Sequence, residues 1–246
     1  MRPPRSRRPT WKPGKRAPSR YPSRARGWGG PGLRVSGPSY RGDMLFRDPV
    51  VALLGPLRCL SCRAPDSMLC PGCAARQASP REDPVAGVDR VLVPWAYEGA
   101  ARALILALKL QARRPAAEPL VEAMWGEVGS RGLCADVITW VPGRPADIRR
   151  RGFDHAEVLA RGLAAGTGLP ARPLLARARV VRDQAGLGAS ERRANLVGAF
   201  VPVGSVPSDV VLVDDVITSG ATGRSCASAL RRGGAGVVEM VAAARA

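Results

Sequence analysis

The chain has 246 residues, 38 Lys and Arg against 20 Asp and Glu, and a formal net charge of +18. That length suits one mid-sized α/β domain with a small appendage, folding without a disulfide scaffold. No run of about 18 or more apolar residues is free of charges and breakers, which excludes an apolar membrane span; a soluble, cytoplasmic protein is expected.

Residues 1–43 hold twelve of the Lys and Arg and one acid, Asp43, amid Pro, Gly and Ser with no apolar periodicity. Such a segment buries too little surface to offset its ordering entropy, so a disordered basic extension is expected. It lacks the apolar core of a secretory signal, and its prolines oppose an amphipathic transit helix. Two readings stand side by side. Met44 opens the first apolar segment, and a start there would remove the extension. Otherwise Trp11, Tyr21, Trp28 and Tyr40 form a basic arm that stacks on unpaired bases while arginines contact phosphates.

Residues 44–84 carry Cys59-x2-Cys62-x7-Cys70-x2-Cys73, where two-residue spacers let both thiolates of a pair converge on one ion. Pro65, Asp66, Pro71 and Gly72 supply the turns for so compact a loop. Four thiolates leave no open coordination position, so the expectation is a structural zinc site. Two disulfides or an iron–sulfur cluster would use the same ligands. Cys134 and Cys226 sit in apolar contexts and are expected in the core.

A boundary is placed near residue 85. Val91–Tyr97 reads as a strand or hairpin arm, Ala100–Leu110 as a helix, and Glu118–Val128 as a helix beyond a break at Pro115. Val137–Val141 then reads as a strand, Ala156–Ala165 as a helix, Val210–Val213 as a strand, Gly220–Arg231 as a helix and Val237–Ala243 as a last strand. Such alternation predicts an α/β fold, a parallel sheet flanked by helices, for residues 85–246, with ligands at the carboxyl ends of the strands.

Val210-Val-Leu-Val-Asp-Asp-Val-Ile-Thr-Ser-Gly-Ala-Thr222 concentrates the chemistry. A buried strand leads to two acids where it should emerge, and Thr218, Ser219, Gly220, Ala221 and Thr222 open a helix. Free amides at a helix N-terminus, flanked by hydroxyls, with Gly220 allowing close approach, make a cradle for a phosphate dianion. Two acids beside an anion site would repel the ligand unless they meet donors, and ribose hydroxyls are suitable donors. Magnesium held chiefly by the ligand's own oxygens would ease the remaining conflict. The plainer alternative is helix capping by Thr218 or Ser219 with no ligand.

This run resembles the motif by which type I phosphoribosyltransferases bind phosphoribosyl pyrophosphate (PRPP). The wider context resembles the ComF family of competence-associated proteins: the four-cysteine knuckle, Val141-Pro-Gly-Arg144, Arg151-Gly-Phe-Asp-His155, Gln184-x2-Leu187, Arg192 or Arg193 with Asn195, and Ala199-Phe200. The resemblance spans residue 59 to the C-terminus and implies a type I phosphoribosyltransferase-like domain. It implies that Asp214 and Asp215 are the catalytic pair, binding the ribose hydroxyls, and that residues 218–222 bind the 5-phosphate. It also implies that Val141, Pro142, Gly143 and Arg144 lie near the pyrophosphate, with Arg151 beside them. Where the family often has Asn-Gln, this chain has Asp154-His155, which leaves side-chain roles there open.

Transfer of a phosphoribosyl group from PRPP needs no nucleophilic side chain; positioning and electrostatics carry it. Magnesium and Arg144, Arg149, Arg150 or Arg151 would neutralise the departing pyrophosphate, although Arg149–Arg151 also reads as a solvated basic turn. His155 reads as a polar residue at a helix start rather than a general base, and Trp125 and Trp140 as packing residues. Residues 184–195 read as a mobile flap or an ordinary surface loop. The alternative class is a non-catalytic PRPP sensor or single-stranded-DNA handler. In a further reading, the cysteine module docks a helicase-type DNA translocase.

Overall fold

The computed structural model describes residues 57–178 and 198–246. The basic extension, Met44 and the 184–195 segment therefore lie outside the described residues. After a short helix α1 (Pro71–Ala74), the chain forms β1 (Arg90–Leu92), β2 (Trp95–Ala96), α2 (Gly99–Leu110), a 3-10 turn (Arg114–Ala116) and α3 (Ala117–Arg131). It continues through β3 (Val137–Trp140), α4 (Pro145–Arg151), α5 (His155–Thr167), β4 (Leu175–Arg177), β5 (Phe200–Pro202), β6 (Asp209–Ile217), α6 (Ala221–Arg232) and β7 (Val237–Arg245).

The main sheet runs β1-β7-β6-β3, with β2 also on β7, and every pairing in it is parallel. This is the expected α/β architecture. Central parallel strands covered on both faces must be apolar throughout, and β6 and β7 are buried along almost their whole length. Side chains alternate between faces with period two. Val211 and Val213 join the core beneath α2, α3 and α5, with Leu104, Leu108, Met124 and Leu163. Val210 and Leu212 join the core beneath α6, with Cys226, Leu230 and Met240.

Val91–Tyr97 is neither a hairpin arm nor one unbroken strand. Its two pieces both pair with β7, and they are separated at Val93-Pro94, where proline offers no N–H to the ladder. The helices at 99–110, 117–131, 155–167 and 221–232 match expectation within a few residues. β6 is longer than the expected Val210–Val213. It continues through both acids to Ile217 because β7 stays in register with it as far as Arg245. β3 stops pairing at Trp140 opposite Val213, so Asp214 to Ile217 project beyond β3's end.

Cys226 is buried as expected, but Cys134 is exposed, because it lies between the end of α3 and β3 rather than under either. Trp125 donates from Nε1 to the Leu163 carbonyl at 3.1 Å, and Trp140 is buried beneath Arg161, whose guanidinium carbon is 5.7 Å from the ring centre. Both tryptophans are packing residues. Among the described residues no helix is long and apolar enough to cross a membrane.

Candidate functional site

The four cysteines converge. Arg63 and Asp66 adopt positive φ of 65° and 69°, folding the first knuckle back, and Pro71 opens α1 so that Cys73 turns toward Cys70. The Sγ atoms of Cys59, Cys62, Cys70 and Cys73 all lie within 4.8 Å of one another, and none is in a disulfide. The Cys70 amide donates to Cys59 Sγ at 3.5 Å and Arg76 to Cys73 Sγ at 3.0 Å. Burial would raise the Cys59 thiol, but backbone donors from Cys62, Cys70 and Ser61 outweigh it and bring it down to about 6. The Ala64 amide favours the Cys62 thiolate, but Cys70, Cys73 and Cys59 beside it push that thiol up to about 11. It is the convergence of four sulfurs and the donors aimed at them, rather than thiol pKa, that fits a metal. These cysteines can therefore hold a metal such as zinc.

Asp214 and Asp215 stand on adjacent β6 positions and so face opposite sides of the sheet. Asp215 is 2 % exposed and faces α2 and α5. Lys109 Nζ lies 2.8 Å from its Oδ2, and His155 Nε2 lies 3.5 Å from its Oδ1. Burial pushes the Asp215 carboxyl up, but His155 and Lys109 prevail and hold it well below the usual carboxylate range. Burial pulls the Lys109 ammonium down, but Asp215 and then Asp214 override that and keep it raised. Asp214, 9 % exposed, stands in a group with His155 and Asp215 whose ligand atoms lie within 4.8 Å of one another, and Lys109 offsets its burial only in part. Burial first and the Asp215 charge second push it well above the carboxylate range, although its Oδ1 accepts from the Asp215 amide at 2.9 Å.

The 218–222 segment leaves the sheet where β7 ends. Gly220, at φ 71°, sits at the N-cap of the twelve-residue α6. A Cβ there would come within 3.0 Å of the Val85 side chain. Among the described residues, no backbone carbonyl accepts from the amides of Thr218, Ser219 or Gly220, and the Ala221 amide meets only Ser219 Oγ at 3.4 Å. Thr218 and Ser219 are exposed. A bend with several unclaimed N–H groups at a helix N-terminus has the chemistry of an anion cradle.

The Val141–Arg144 loop continues β3 toward the same end of the sheet. Val141 donates to the Val213 carbonyl at 2.9 Å, and the Gly143 amide donates to Asp154 Oδ2 at 2.7 Å. A Cβ on Gly143 would lie 3.1 Å from that carboxylate, close enough that Asp154 would have to give way by a few tenths of an ångström. Asp154 also caps α5 through the Ala156 amide. Arg144 is exposed. Arg151 donates to the Lys109 carbonyl at 3.1 Å, tying α4 to the end of α2.

Two residues that the motifs do not single out belong to this neighbourhood. Lys109 reads as one charge on an apolar helix, and only the tertiary fold lays it against Asp215. Arg177, at the end of β4, donates to the Pro142 carbonyl at 2.9 Å and stacks 5.0 Å over Phe200. Its guanidinium is pulled below its ordinary value by burial and then by Arg144. A cavity of about 570 Å³ lies between the 79–94 segment and Arg131 and Arg245, and one of about 330 Å³ between Arg114, Phe153 and Arg161. Neither is lined by residues 214–222.

No family model matches the chain. Over 102 residues the chain is 35 % identical to "Competence protein F" of Haemophilus influenzae, covering 39 % of this chain and 44 % of that protein. The chain thus spans less than half the length of that relative. Among solved structures, a glutamine PRPP amidotransferase from B. subtilis complexed with ADP and GMP is 28 % identical, with a TM-score of 0.37, over 52 % of this chain and 26 % of that one. A purine phosphoribosyltransferase from Pyrococcus horikoshii Ot3 is 16 % identical, with a TM-score of 0.23, over 63 % of this chain and 87 % of that one. A resemblance to competence-associated proteins is thus met by a curated relative over 39 % of the chain, where the chain is similar to Competence protein F.

Proposed function

We propose that the chain binds PRPP or ribose 5-phosphate with magnesium at the carboxyl end of β6, and transfers the phosphoribosyl group to an acceptor in a process linked to competence and DNA uptake. The observation that carries this reading is the bend at 218–220, whose amides have no backbone acceptor among the described residues, set directly after two acids that project past the end of β3. In this reading Thr218, Ser219, Gly220, Ala221 and Thr222 grip the 5-phosphate. Asp214 and Asp215 take the ribose hydroxyls, and Val141, Pro142, Gly143, Arg144 and Arg151 face the pyrophosphate.

The donor set suits magnesium carried in by the ligand. Asp215 is matched by Lys109, and ligand atoms of His155, Asp214 and Asp215 lie within 4.8 Å of one another, where they would meet a cation that the ligand brings. When bound, the ion would supply charge neutralisation of the pyrophosphate. The chain's own groups orient the ribose and bind the phosphate, so that the bond from C1 to the leaving oxygen breaks while the acceptor approaches. Magnesium-dependent release of pyrophosphate from PRPP, measured across a panel of nucleobase-like acceptors, tests the transfer. Release with at least one acceptor is expected, and silence with all of them contradicts a transferase.

The competence relative and the basic balance of residues 44–246, 26 Lys and Arg against 19 Asp and Glu, favour a second reading. Here the PRPP site is a sensor, and the protein handles single-stranded DNA or docks a DNA-translocating helicase through a zinc-bound module at 44–84, while residues 85–246 form the phosphoribosyltransferase-like domain. It predicts salt-dependent binding of single strands by residues 44–246. Binding confined to chains that keep residues 1–43 contradicts it. Both readings place the protein in the cytoplasm.

A further inference from the structure

The imidazole of His155 is buried between two carboxylates that belong to different halves of the proposed site. Nε2 lies 3.5 Å from Asp215 Oδ1 on β6, and Nδ1 lies 3.8 Å from Asp154 Oδ1 at the cap of α5. Both contacts are long for hydrogen bonds, and among the described residues Nδ1 is a buried nitrogen with no hydrogen-bond partner. Buried polar atoms are ordinarily satisfied, so an orphan nitrogen in the native state calls for an explanation.

Asp154 does not end the chain of contacts. Its Oδ2 holds the Gly143 amide at 2.7 Å, and its Oδ1 holds the Ala156 amide at 3.1 Å. Asp215, at the opposite end, is pinned by Lys109, whose backbone carbonyl is in turn held by Arg151. Gly143, Asp154, His155 and Asp215 therefore form a row of polar groups, joined by a hydrogen bond between Gly143 and Asp154 and spaced by 3.8 and 3.5 Å on the two sides of the imidazole. The row leads from the loop beside the proposed pyrophosphate position to the acid beside the proposed ribose. We infer that His155 is a positioning residue, a strut that sets Asp215 and the Val141–Arg144 loop relative to each other so that ligand contact at one is felt at the other. The inference rests on the ribose-phosphate reading of this site.

Ribose 5-phosphate is the probe, because it fills the diol and phosphate positions but carries no pyrophosphate. Amide NMR of the 15N-labelled full chain is followed as it is added, on wild type, His155→Gln and His155→Leu. Glutamine keeps a donor at the reach of Nε2, and leucine keeps the bulk without the polarity. The expected result is that the Gly143 amide shifts in wild type and in His155→Gln, and that this shift is lost in His155→Leu while the 218–222 amides still respond. A Gly143 amide that stays still in wild type while 218–222 move overturns the strut and leaves the site standing. A shift that persists in His155→Leu also overturns it, because the loop would then be touching the sugar directly. If neither set of amides moves, the ribose-phosphate reading fails and the strut with it. Should His155→Leu not fold, His155→Asn, polar but too short to reach Asp215, takes its place with the same outcomes.

Discussion

Asp214 and Asp215 are neighbours in sequence with opposite electrostatic fates, because a strand turns successive side chains to opposite faces. Asp215 meets Lys109 and His155, and its depressed pKa means that its contribution to stability is present above the unfolded carboxylate value and is lost as pH falls through the acid range. Asp214 has a raised pKa, so its favourable contribution is present only below the unfolded value and is lost as pH rises through its folded pKa; at neutral pH its ionisation opposes folding. Asp214→Asn is therefore expected to raise the melting temperature at pH 7 while weakening PRPP binding. The gain should vanish below about pH 4, where the wild-type carboxyl is protonated in both states. Equal melting temperatures at pH 7 would contradict the burial argument. A buried acid that opposes folding fits the proposed ligand-binding role.

At the scale of elements, close approaches between backbone and side chain explain why glycines stand where they do. The Cβ of an alanine at 166 on α5 would lie 2.1 Å from the Trp125 indole on α3. Alanine gains about 1 kcal/mol of helix propensity over glycine, but displacing a packed ring that also donates to Leu163 costs about 1–3 kcal/mol. Gly166→Ala should thus lower stability in denaturant titrations, and an unchanged midpoint would show that the helices slide apart freely. Gly220→Ala forces a left-handed alanine at the head of α6, costing about 1–2 kcal/mol, and presses on Val85. It should weaken PRPP binding by about tenfold or more, as read by calorimetry, whereas unaltered affinity would dissociate the bend from the ligand. These elements differ in how far the sequence exposes them. The helices at 99–110 and 155–167 announce themselves by periodicity, and the thirteen-residue run 210–222 by composition. The extension of β6 to Ile217 does not, since a pair of acids reads as a strand exit. It is the register with the Ala242–Ala244 stretch of β7, a run of poor strand formers, that carries the strand onward. β4 and β5, three residues each, are too short for any periodicity to declare them. Lys109 and Arg177 become site residues only through contacts dozens of residues away in sequence.

For the whole molecule, the cysteine cluster and the sheet make separable claims. Cys59 and Cys73 are buried in the same core as α2 and α3, so metal at the cluster should stabilise more than its own loop. Chelation is expected to lower the melting temperature of the full chain, with about one zinc per chain in metal analysis before treatment. Iron, or no metal and no effect of chelator, would contradict a structural zinc site. Binding of a ribose 5-phosphate group at the end of β6 is measurable without any acceptor. Isothermal calorimetry of PRPP with magnesium is run on wild type and on the Asp214→Ala/Asp215→Ala double variant, each checked for folding. The account predicts saturable one-site binding to wild type, weakened by about a hundredfold or abolished in the variant. Absence of heat with wild type, or equal affinity in the two proteins, would contradict it.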